Sequence, residues 1–134
     1  MADIRQVTPD FAVAPQLQPQ DMAEAARRGF KLVINNRPDG EVPDQPSNAE
    51  MEAAARAAGL DYVSVPFVGR PGPDQVAGVR EAVEGADGPV LAFCRSGTRS
   101  ITAWTLGQAG ARTREELLKL AADAGYDLSA ALPG

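Results

Sequence analysis

The chain has 134 residues, 44% of them hydrophobic and 23% charged, with a net charge of −5 and no histidine. This suits one domain spanning residues 1–134 and built around a single core. It speaks against a nucleic-acid binder, which would carry a basic excess, and against imidazole-based metal sites or acid–base pairs.

The elements alternate along the chain. "IRQVT" (4–8) and "FAVAP" (11–15) are short and apolar, separated by Pro9-Asp10, and predict an N-terminal strand pair. "PQDMAEAARRG" (19–29) opens with Pro and Asp and closes on Gly, the punctuation of a short helix. "FKLVINN" (30–36) is a buried strand. "RPDGEVPDQPSN" (37–48) carries three prolines and a glycine and excludes regular structure.

"NAEMEAAARAAG" (48–59) is a second helix, "DYVSVPF" (61–67) a strand, "VGRPGP" (68–73) a loop and "PDQVAGVREAVEG" (73–85) a third helix. "GPVLAFC" (88–94) is a strand, and "RSITAWTLGQAG" (99–110) and "TREELLKLAADAG" (113–125) are helices, the latter with Thr113 and Glu116 at capping-box spacing. "YDLSAALPG" (126–134) is a tail with room for one more turn. Met22, Met51 and Trp104 fall at core positions, and Glu115 and Glu116 sit in a first helical turn, where they suit the dipole.

Strand-to-strand spacings are too long for hairpins beyond the first pair. The expected fold is therefore α/β: a mainly parallel central sheet covered on both faces, in three α/β/α layers. Ligands bind such sheets beyond the carboxyl ends of the strands. Asn35–Gly40, Phe67–Arg70 and Cys94–Arg99 all follow strands and are expected to meet at one rim.

No run is long enough to span a bilayer, and the start "MADIRQVTPDF" has no signal-like apolar segment. A single cysteine forms no internal disulfide. The expectation is a cytoplasmic chain with no membrane partner.

That cysteine, Cys94, ends an apolar strand, and the following loop runs through Gly97 into a helix. Such a loop points backbone N–H groups inward beside a helix N-terminus and stabilises an anion. A cysteine so placed has its pKa lowered from about 8.5 to roughly 3.5–7.5. Arg95 and Arg99 add positive charge, so a nucleophile is available without histidine. The bland alternative is a small core residue.

Cys94-Arg95-Ser96-Gly97-Thr98-Arg99-Ser100 resembles the C-R-x-G-x-R-S loop of rhodanese-type sulfurtransferases. Cysteine-based phosphatases carry H-C-x-x-G-x-x-R, with arginine at the sixth position after cysteine; here Arg99 is at the fifth, and Phe93 precedes the cysteine. The rest of the chain, from "KLVINNRPDGE" through "DYVSVPFVGRPGPDQVAGVREAVEGADGPVLAFCRSGTRS", is similar to a small dual-specificity phosphatase in its order of strand, loop, helix, strand and cysteine loop. The combination resembles the phosphatase-like sulfurtransferase domain found alone or fused to β-lactamase-like hydrolases.

The resemblance implies a dual-specificity-phosphatase-like fold with the catalytic loop between a strand and a helix. It implies sulfane sulfur transfer from thiosulfate or a small persulfide, through a Cys94 persulfide, to a thiol or cyanide acceptor, without cofactor or metal. Cys94 and Arg99 would be catalytic. Arg95, Ser96, Gly97, Thr98 and Ser100 would cradle the anion, with Arg37 and Asp39 bordering it. A β-lactamase-like hydrolase is a possible partner.

A phosphatase also needs an acid to protonate its leaving oxygen. The loop that carries it in dual-specificity phosphatases here reads Val68-Gly69-Arg70-Pro71-Gly72-Pro73, with no acid before Asp74; Asp39 or Glu41 could substitute. Several roles stay open. Arg37 and Asp39 could bind substrate, or simply make the Pro38-Asp39-Gly40 turn. Ser100 could hydrogen-bond the thiolate or help cap its helix. Arg70 could reach the anion or stay in solvent. The rival functions are a dual-specificity-type phosphatase working through a phosphocysteine, and a non-enzymatic anion-binding or redox-sensing module.

Overall fold

A computed structural model describes residues 2–132, so the last two residues of the tail, 133–134, lie outside the described residues. Five strands form one sheet in the order β1-β2-β5-β3-β4: β1 (Arg5–Thr8), β2 (Phe11–Ala14), β3 (Leu32–Asn35), β4 (Asp61–Ser64) and β5 (Val90–Phe93). The β1–β2 pair is antiparallel and every other pair is parallel. The interior strands read FAVA, LVIN and VLAF and are buried at every position, as strands covered on both faces must be. The edge strands β1 and β4 each bury one residue, Val7 and Tyr62, and leave the others partly or fully exposed.

Five helices complete the layers: α1 (Asp21–Arg27), α2 (Asn48–Ala57), α3 (Pro73–Gly85), α4 (Thr98–Gly107) and α5 (Arg114–Asp123). Met22 and Ala25 of α1 and Met51 and Ala55 of α2 pack with Ala12, Val33, Leu91 and Phe93 on one face of the sheet. On the other face, Val79 of α3, Ile101 and Trp104 of α4, and Leu117 and Ala121 of α5 pack with Phe11, Val13, Ile34 and Ala92. The three layers expected from the alternation are present. Trp104 packs in the core, stacked on Phe11 with ring centroids 5.0 Å apart and planes 8° from parallel. Thr113 and Glu116 form the anticipated capping box on α5, and Ser47 and Glu50 form a second on α2. The tail adds one turn, in which the N–H groups of Ala131 and Leu132 donate to Leu128 O. Among the described residues, no helix is long and apolar enough to cross a membrane.

The chain leaves neighbouring strands β3 and β5 in opposite directions, toward α2 on one face and toward α4 on the other. A crevice opens where such connections part, beyond the carboxyl ends of the strands. The loops after β3 and β5 leave the sheet at that end.

Candidate active site

Cys94 follows the last residue of β5 and has 0% exposure. The next residues turn sharply into α4, and Gly97, the N-cap, takes a left-handed conformation with φ 94°. This aims the Gly97 N–H at the sulfur, 3.1 Å from Cys94 Sγ. A side chain at 97 would be strained in that conformation, and its Cβ would run into the Tyr126 hydroxyl. The Tyr126 O–H in turn donates to Ser96 O at 2.8 Å and braces the loop from the C-terminal tail. Burial, then the neighbouring Cys94, raise the Tyr126 pKa, offset in part by Arg5, so the phenol keeps its proton for this bond. Gly97→Ala should therefore cost about 2–4 kcal/mol in a thermal denaturation measurement. Adding Tyr126→Phe, which removes the hydroxyl from the path of the new Cβ, should recover part of the loss.

The remaining loop residues are fixed by their neighbours. Gln16, just past β2, donates its N–H to Arg95 O at 3.1 Å. The Arg95 residue is exposed, as are Ser96 and Thr98. The Thr98 N–H points to Ser96 Oγ (3.3 Å), whose hydroxyl donates to Thr98 Oγ1 (3.0 Å). Ser100 is fully buried and its hydroxyl donates to Asn36 Oδ1 at 2.7 Å; the cap belongs to Gly97. Asn36, also fully buried, donates from its amide to Val65 O at 2.9 Å. Ser100 and Asn36 thus tie together the loops after β3, β4 and β5.

The loop after β3 is anchored by a second polar cluster. Asn35 Oδ1 accepts the Arg37 N–H (2.8 Å), and Asn35 Nδ2 donates to the Tyr62 hydroxyl (3.0 Å), which donates to Asn48 Oδ1 at the start of α2. Burial pushes the Tyr62 pKa up to about 12, so it too stays protonated. The Asp39 carboxylate accepts the Asn48 N–H at 2.6 Å, at the N-terminal end of α2. Arg70 is exposed and donates to Ala131 O at 2.8 Å.

Glu41 holds the arginines of the two loops together. Arg99 Nη1 donates to Glu41 Oε2 (2.9 Å) and to Phe67 O (3.0 Å), and Nη2 donates to Glu41 Oε1 (2.8 Å). Arg37 Nε donates to the same Oε1 at 2.7 Å, and Arg37 Nη1 donates to Gln16 Oε1 at 3.0 Å. Arg37 is 4% exposed, and so buried a charge must be paired. The Arg99 hydrogen bonds, with a smaller contribution from Arg37, hold the Glu41 pKa down from 4.5 to about 2. The pair therefore stabilises the fold fully above pH 4.5, and this is lost as pH falls through about 2. The Arg99 pKa is raised, first by Glu41 and then by Cys94.

Of the residues expected at the site, the Gly97 amide meets the Cys94 sulfur, Arg99 and Arg37 share Glu41, and Ser100 joins the loop after β3 through Asn36, while the Asp39 carboxylate binds the start of α2 and Arg70 donates to the tail. Gln16 and Tyr126 enter without an expectation from sequence. For Gln16 a signal was present, because β2 ends at the same rim as β3 and β5. Tyr126 comes from the tail and had none.

The model of the phosphatase-like domain of Beta-lactamase hydrolase-like protein matches residues 3–111. The Beta-lactamase hydrolase-like protein of Agrobacterium fabrum is 37% identical over 124 residues, covering 90% of this chain. The chain spans 29% of that relative's length, and the same share of a 37% identical relative from Xylella fastidiosa Temecula1. A crystal structure of a candidate phosphatase from Neisseria meningitidis Z2491 is 29% identical, with a TM-score of 0.87 over 97% of this chain and 94% of that one. A candidate phosphatase of Shewanella putrefaciens CN-32 shares the fold, at 20% identity and a TM-score of 0.70 over 94% of this chain and 93% of that one.

Proposed function

The chain belongs to the phosphatase-like domain family of the Beta-lactamase hydrolase-like proteins, and from that premise we propose that it uses the phosphatase-like fold for sulfur transfer. The carrying observation is that, among the described residues, neither the acids expected to substitute, Asp39 and Glu41, nor the 68–73 loop is poised to protonate a leaving oxygen. Glu41 is held ionised by Arg99 and Arg37, with its pKa near 2. Asp39 is bound to the N-terminal end of α2. The 68–73 loop has no acid, and Asp74 lies in the first turn of α3. Phosphate-ester hydrolysis through a cysteine needs that proton. Sulfite or a thiolate leaves without it.

In this reading the Cys94 thiolate attacks the outer sulfur of the donor. With thiosulfate, the S–S bond of the donor breaks, a Cys94–S–S⁻ persulfide forms and sulfite departs. With a persulfide R–S–S⁻, the departing group is R–S⁻. Cyanide then takes the outer sulfur as thiocyanate, or a thiol takes it as a new persulfide, and the Cys94 thiolate returns. The Gly97 N–H, already on the sulfur, and Arg99 offset the negative charge throughout. Arg95, Ser96 and Thr98 supply the wall of the loop. Arg37 acts through Glu41. No metal or cofactor is required, and the setting is cytoplasmic. A hydrolase-like partner, such as the remainder of the longer relatives, would consume or supply the persulfide.

The second reading is a dual-specificity-type phosphatase. Its support is the likeness to the Neisseria meningitidis candidate phosphatase across nearly the whole chain. One pair of assays separates the two. Transfer from thiosulfate or a persulfide to cyanide should exceed aryl-phosphate hydrolysis by orders of magnitude. Rapid aryl-phosphate turnover without sulfur transfer would establish the phosphatase instead.

A further inference from the structure

Arg99 has five N–H donors in a fixed plane. Glu41 takes the end of the fork, one donor on each Nη, and Phe67 O takes the second donor on Nη1. The two left are Nε–H and the other Nη2–H, which together make a second, side-on fork. Neither has a partner among the hydrogen bonds of the described residues, so this side of the guanidinium is open to an anion. Glu41 thus does not fill the anion position. It sits behind Arg99, fixes its plane and stays in place when an anion binds in front.

It also sets the charge that the anion meets. Arg37 and Arg99 bring two positive charges and Glu41 removes one, leaving one net positive charge in a cluster whose side chains are 4%, 17% and 24% exposed. In so sheltered a place charges act strongly on one another. A dianion bound in front of Arg99 would exceed the one net positive charge of this cluster, whereas a single negative charge is matched. Placing a repelling charge beside a binding position is how a site rejects a near-isostere.

Building on the sulfur-transfer reading above, we propose that Glu41 is the residue that selects the donor by charge, fitting the site to the singly charged end of a persulfide, R–S–S⁻, over dianions such as thiosulfate and phosphate. Thiosulfate remains a donor, but with a high KM.

The test is Glu41→Gln, which keeps the shape and removes the charge. Calorimetric titration with inorganic phosphate should show at least tenfold tighter binding to the variant. The KM for thiosulfate should fall about tenfold relative to the KM for the persulfide of a neutral thiol, whatever the variant does to turnover. Glu41→Asp, which retains the charge, should keep the natural preference. A second measurement needs no variant: at equal ionic strength, thiocyanate should protect Cys94 from iodoacetamide better than sulfate does. Unchanged or weaker phosphate binding by folded Glu41→Gln, or better protection by sulfate, overturns the proposal. Neither arm needs sulfur transfer, so the phosphate arm reports on Glu41 and the protection arm on the charge preference of the site even where the assay of the natural protein finds no sulfurtransferase.

Discussion

Cys94→Ser should leave sulfur transfer undetectable and the fold standing. The thiol is the only cysteine in the chain and is fully buried at the end of β5, with the Gly97 N–H on its sulfur. A serine hydroxyl fills nearly the same space and accepts the same bond, so the expected stability change is about 1 kcal/mol or less. Chemistry does not survive the exchange. An alcohol is not ionised at neutral pH, and the described structure offers no base to activate it, since the chain has no histidine and Glu41 is occupied by two arginines. Circular dichroism and a thiosulfate:cyanide assay on the same sample check both halves. Residual transfer by the serine variant would mean that sulfur moves without a covalent carrier.

Arg99→Lys should lower kcat/KM by about a hundredfold although the charge is kept. In the natural protein one planar group serves Glu41 through two bonds and Phe67 O through a third, and keeps two donors for the anion. An ammonium group has three donors around a point and cannot hold that division. The lysine would pair with Glu41 and turn from the anion, or face the anion and abandon Glu41 beside Arg37. Either arrangement removes the oriented donors from the transition state. Near-natural turnover in this variant would show that positive charge alone suffices.

How much of this was legible in the sequence follows from range. Each strand and helix carried local signals: buried runs such as LVIN and VLAF, glycine stops and the Thr113–Glu116 box. Strand alternation was enough to send the loops after β3, β4 and β5 to one rim, where Asn36, Val65 and Ser100 now join them. Cys94 and Gly97 were legible because a strand end, a turn and a helix start are all local. The partners of the side chains were not. Glu41 pairs with Arg99 across 58 positions, and Tyr126 reaches Ser96 across 30; no spacing rule encodes either. The Pro38-Asp39-Gly40 stretch invites both a turn and a binding role, and only the position of α2 shows where the Asp39 carboxylate goes.

The central claim is that Cys94 carries sulfur. Incubating the protein with a small persulfide or thiosulfate, without acceptor, and weighing it intact by mass spectrometry tests this most directly. The account predicts a gain of one sulfur atom located at Cys94, absent in Cys94→Ser and removed by cyanide with release of thiocyanate. An unchanged mass under these conditions, together with a phosphorylated Cys94 trapped from an aryl phosphate, would contradict it.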